Sequence, residues 1–149
     1  MNNIVRNNAV AEVKKATEAR VNVLRQLVAL KAAYKDLSRR IENCKIRSWM
    51  EGPGIPCILL NPEAAKLGLE RVAERNREMC ALTDERIGLD LRCEQLMQMK
   101  KDADHDLHEA VETVLGLQTG DPVEDLMAGA NALAYVETMR ARERELANA

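Results

Sequence analysis

The chain has 149 residues, the length of one domain, and carries 22 Lys+Arg against 24 Asp+Glu for a formal net charge of −2. Its aromatic content is 2%, with no Phe, one Trp and two Tyr. That excludes a thick core filled by large rings and suits a thin one between helices, built from Ala, Val, Leu, Met and Ile.

Helix 1 is predicted over about 8–50, with Asn3 or Asn8 as its cap and no Gly or Pro along its length. At 1.5 Å per residue it would run roughly 63 Å. Its apolar stripe steps every three then four residues through Val13, Ala16, Arg20, Val23, Leu27, Leu30, Tyr34, Leu37, Ile41 and Cys44. This spacing is the mark of a coiled-coil seam. The segment is also basic: residues 1–50 hold 11 Lys+Arg and 4 Asp+Glu, while residues 51–149 hold 11 and 20. The favoured reading is a basic helix lying on an acidic one, with ion pairs at the flanks of the seam. The alternative is a nucleic-acid-binding face made of Lys14, Lys15, Arg25, Lys31, Lys35, Arg39, Arg40, Lys45 and Arg47. No aromatic residues interleave these cations, so a base-stacking platform is not expected.

Residues 51–61 break the helix with two Gly and two Pro. Trp49, Met50, Ile55, Ile58, Leu59 and Leu60 gather around this break. They form either a cap over the end of a hairpin or an apolar docking tip for a partner.

Helix 2 is predicted over about 62–118, with Asn61 as N-cap and Pro62 in the first turn. The same 3-4 stripe runs through it from Ala65 to Leu117, with Arg75, Arg86 and Lys100 as polar seam residues. A turn near residue 56 would set Leu30 against Leu82, Val23 against Leu89 and Ala16 against Leu96. Cys44 would then lie near Gly68, Cys80 near Ala32 and Cys93 near Arg20. No two helical cysteines would meet, so no intrachain disulfide is expected. All four read as reduced, small, buried side chains, with Cys57 in the break the most exposed. There is no Cys-x-x-Cys pair for zinc.

Helix 3 is predicted over about 122–145. Gly120 can adopt the left-handed conformation, and Asp121-Pro122-Val123-Glu124 reads as a capping box. Its stripe is assigned to Leu126, Ala130, Leu133 and Val136 or Glu137. Folded back on helix 2, it would reach only to about Cys93. A second apolar stripe would then stay uncovered: Val21, Leu24 and Val28 on helix 1, with Ile87 and Leu91 on helix 2. A two-helix seam needs one stripe per helix, so a second stripe implies a further helical surface, most simply another copy of the chain or a helical partner.

Both histidines lie in helix 2. His105 shares a face with Glu109 and His108 with Glu112, a spacing that can ligate zinc or iron. The matching motif of a di-metal bundle is missing, so the expectation is a solvated acidic face with neither metal nor cofactor. There is no phosphate loop and no credible nucleophile–base set.

The sequence therefore predicts an all-α fold: one elongated domain built on a long antiparallel helical hairpin, with a third helix folded back on the end of helix 2. In outline such a hairpin resembles the helical stalk proteins of flagellar and type III export and several phage structural or inhibitory proteins. The expected function is a non-enzymatic assembly, adaptor or inhibitor role through protein–protein contacts, with self-association. The alternatives are nucleic-acid association and a metal-dependent helical enzyme at the His105/His108 cluster. The polar start Met1–Arg6 lacks a signal-peptide apolar region and no run reaches the ~18 residues of a membrane span, so a cytoplasmic protein is expected at synthesis.

Overall fold

A computed structural model describes residues 2–51 and 61–148. The described residues form three helices and no strand: α1 (Asn2–Glu51), α2 (Pro62–Leu115) and α3 (Pro122–Asn148). The predicted all-α hairpin with a third helix is the fold observed. Among the described residues no helix is long and apolar enough to cross a membrane. The break lies mostly outside the described residues, and with it Ile55, Ile58, Leu59, Leu60 and Cys57.

Local chemistry explains the helix ends. The Asn61 side-chain oxygen accepts hydrogen bonds from the N–H groups of Glu63 (3.1 Å) and Ala64 (3.2 Å), which caps α2. Asp121 does the same for α3 through Val123 (3.2 Å) and Glu124 (3.3 Å). α2 stops at Leu115, just before Gly116 and short of the predicted residue 118. Gly120 follows in the loop with φ +97°, a left-handed turn that glycine enters without a Cβ clash. α1 begins earlier than predicted, at Asn2. Asn2 and Asn3 do not cap it; their side chains bond instead to Thr119 and Arg6.

The chain forms two compact units. The first contains α1 up to Ala29, α2 from Cys93, and α3. The second contains α1 from Leu30 and α2 up to Arg92. In the three-helix unit, Val13, Val21, Leu107 and Val114 bury against Ala128, Ala132, Val136 and Met139. Thr17, 4% exposed in this apolar setting, satisfies its hydroxyl by donating to the Lys14 carbonyl at 2.7 Å. In the two-helix unit the core is thinner: Leu37, Cys44 and Leu82, with Ile41, Met79 and Leu89 half-buried around them.

Almost every predicted seam residue of α1 and α2 is buried or half-buried; Arg86 is exposed. The register is not the predicted one. Cys44 donates to the carbonyl of Arg75 (3.8 Å) rather than lying opposite Gly68, and Ala16 lines a groove with Ala103 rather than pairing with Leu96. Both differences are one heptad along α2. A heptad slip keeps every apolar stripe position opposite another, so the stripe cannot choose between the two registers.

The slip has a consequence in the three-helix unit. It brings Val21 within reach of α3, where it is 2% exposed and lies beside Tyr135, Thr138 and Met139. Val21 thus does not belong to an open stripe. The face of α3 is also corrected. Ala128, Gly129, Ala132, Val136 and Met139 are buried, while Leu126 and Leu133 are 76% and 45% exposed. Small residues let α3 lie close against its neighbours, and that leaves the leucines outside. Gly129 sits on this buried face; a Cβ there would be 3.5 Å from the Leu115 side chain.

Candidate functional site

Three kinds of residue were candidates, and the structure separates them. The histidines lie on exposed α2 surface. His105 Nε2 is 3.2 Å from Glu109 and His108 Nε2 is 3.0 Å from Glu112, and each of these side chains is about two-thirds exposed. Each pair is a single turn-to-turn contact. Among the described residues no three His, Cys, Asp or Glu side chains gather as a metal site.

The basic residues of α1 are partly engaged within the chain. Arg40 makes a two-pronged contact with Glu85 (2.8 and 2.9 Å), which raises its pKa, chiefly through that hydrogen bond. Arg47 reaches Glu78 at 2.6 Å, and Arg39 reaches Asp36 at 2.8 Å. Hydrogen bonding from Arg75, foremost, holds the Glu78 carboxyl below the usual range. Tyr34 donates to Asp90. Lys14 sits over the Tyr135 ring, 5.9 Å from its centre. Arg40–Glu85 and Arg47–Glu78 are the flank pairing of a basic helix on an acidic one, whereas Arg39–Asp36 and Arg75–Glu78 lie within a single helix.

Two polar clusters went unseen in the sequence. Arg20, a seam residue, binds Asp104 of α2 and Glu143 of α3 (2.5 Å to Glu143), so one guanidinium joins three helices. Near the start of α1, Arg6 is 7% exposed. Its Nε donates to the Thr119 hydroxyl (2.9 Å) and to Asp125 (3.0 Å), and its Nη1 to Asn3 (2.6 Å). Asn2 adds a bond to the Thr119 carbonyl at 2.7 Å. Asp125 also accepts from the Thr119 hydroxyl (2.5 Å) and backbone N–H (2.9 Å). The Thr119 bonds first, then Arg6, hold the Asp125 carboxyl below the usual carboxylate range. This clasp fastens the start of α1 to the loop before α3. It is structural: its groups are matched to one another.

The apolar candidates divide. Val21 is buried and Leu24 half-buried. Val28 is 37% exposed; in the two-helix unit Ile87 is 53% and Leu91 57% exposed, and Trp49 and Met50 stand at 86% and 72%. Cys80 is exposed rather than buried, Cys93 is half-buried and Cys44 is buried. The larger surprise is α3. Val123, Leu126 and Met127 are 66%, 76% and 55% exposed, beside Leu115 at 60%. Residues 126–136 contain no charge. Leu115, Leu126, Gly129, Ala130 and Leu133 line an open groove of about 630 Å³.

No known family model matches the chain, and no curated protein or solved structure is significantly similar to it.

Proposed function

We propose that the protein is a non-enzymatic helical assembly protein that works through protein–protein contacts and associates with further copies of itself. The outer face of α3 carries this reading. It presents Val123, Leu126, Met127 and Leu133 to solvent, and no charged residue falls between Leu126 and Val136. Depletion of charge around large apolar side chains marks the centre of protein interfaces, and soluble monomers rarely leave such patches open. The ion pairs that Arg40 and Arg47 make with α2 commit part of the basic face of α1 within the chain, which favours the same reading over a nucleic-acid role.

The test is absolute mass by light scattering after size exclusion. A mass above one copy that rises with protein concentration is expected. Protein that stays at one copy up to the highest soluble concentration would remove self-association from the proposal.

A further inference from the structure

The outer face of α3 carries a seam of its own. Val123, Met127, Ala130, Ala134 and Glu137 follow one another at steps of four, three, four and three, and all of them are exposed. They lie opposite the buried Ala128, Ala132, Val136 and Met139, so the seam faces away from α1 and α2. This is the spacing of a helix-pairing stripe. Leu126 and Leu133, both exposed, run along one flank of it, on the side of the groove that Leu115 also lines.

The order of sizes along this seam is its informative feature. Val123, Met127, Ala130 and Ala134 read large, large, small, small. Turned end for end the order is small, small, large, large, so the helix is complementary to its own reverse. With a two-fold axis between residues 128 and 129, Val123 faces Ala134 of a second copy and Met127 faces its Ala130, each twice. Leu126 then lies against the second copy's Leu133 along the flank. Large side chains set against small ones let helix axes approach closely. Charge accepts the same arrangement. Glu124, on the other flank, meets Asn131 of the second copy. Glu137 falls past the last pair, beside the second copy's Gly120 and Asp121, with Arg140 one turn on to offset it. A parallel pair would instead set Val123 on Val123, Met127 on Met127 and Glu124 beside Glu124.

We infer that α3 pairs antiparallel with α3 of a second copy through this seam. The inference rests on the self-association reading above and gives it a geometry. The same patch of both copies meets, so the contact is isologous and assembly closes at two. The facing pairs span residues 123–134, roughly 18 Å of helix. That is a small interface, so the dimer is reversible and dilution separates it.

Two exposed substitutions break the contact from different positions. Ala130→Glu puts a carboxylate under the second copy's Met127, and Ala134→Glu puts one under its Val123; both sites are exposed in the single chain. Circular dichroism checks that each variant keeps its helix content. Light scattering after size exclusion should find wild type at two copies at high concentration and each variant at one copy at that same concentration. Met127→Lys added to Ala130→Glu should restore two copies, because the new ammonium and carboxylate then face each other across the axis. Masses that climb past two copies, single variants that still pair, or a double variant that stays at one copy overturn the antiparallel α3 contact while leaving self-association standing. Wild-type protein at one copy overturns both.

Discussion

The two units use the same two helices and differ in whether a third covers them. Where α3 lies on α1 and α2, apolar residues from three helices close a continuous cluster around Val13, Val114 and Ala132. Where it does not, the buried cluster shrinks to Leu37, Cys44 and Leu82, and the flanking Arg40–Glu85 pair is nearly half exposed. Exposed ion pairs contribute little and weaken with salt. The two-helix unit therefore depends on a few apolar side chains, while the three-helix unit shares its burial among many. A third helix turns a stripe into a core.

The sharpest way to break this comparison is Leu37→Ala. Leu37 is 2% exposed, and truncating a buried leucine costs about 2–5 kcal/mol. In so small a cluster the loss should appear as local opening. Amide exchange should speed up over residues 30–50 and 62–92 and change little over residues 93–115. Equal acceleration in both ranges would mean that the helices open as one cooperative unit and that the thin cluster is no weak point.

Acid separates the units next. The Asp125 carboxyl has a lowered folded-state pKa. Its contribution is complete above the unfolded carboxylate value of about 4 and is lost as pH falls through the lower folded value. Asp125→Asn keeps the shape and removes the charge that faces Arg6. The variant should melt several degrees below wild type at neutral pH, with the difference narrowing as pH drops below the ordinary carboxylate range. Proteolysis at residues 116–121 should rise in parallel, because the clasp anchors that loop to α1. A melting difference that persists unchanged into acid would show that Asp125 contributes packing rather than charge.

Much of this architecture was legible in the sequence, for identifiable reasons. The caps Asn61 and Asp121 act through side-chain chemistry within three residues, so local sequence suffices. The seam residues followed from spacing alone. Register did not, because a seven-residue repeat looks the same after a slip of seven. That ambiguity carried over to Val21, which was expected in the open and is covered once the slip brings α3 to it. On α3 the stripe was assigned to Leu126, Ala130, Leu133 and Val136 or Glu137; close helix packing buries Val136 but takes Ala128, Ala132 and Met139 with it and leaves the two leucines outside. The Arg6 clasp joins residues more than a hundred positions apart, and no spacing rule announces it.

The smallest expected effect probes the backbone of each unit. Gly88 lies inside α2 in the two-helix unit, and a Cβ there would meet nothing within 4 Å. Gly88→Ala removes unfolded-state freedom without a clash, so the variant should gain roughly 0.5–1 kcal/mol. Gly129→Ala makes the corresponding change in the three-helix unit, where the new methyl would touch Leu115 at ordinary van der Waals distance. It should gain at least as much, since a contact is added to the same backbone term. The gains should be local: slower amide exchange around residue 88 for the first and around residue 129 for the second. If Gly129→Ala destabilises while Gly88→Ala stabilises, α3 packs more tightly on its neighbours than a methyl allows, and the exposed face of Leu126 and Leu133 is fixed by steric demand at residue 129. If Gly88→Ala gains nothing, α2 departs from helix there in solution, and the thin cluster at Leu82 and Leu89 stands beside a break in its own helix.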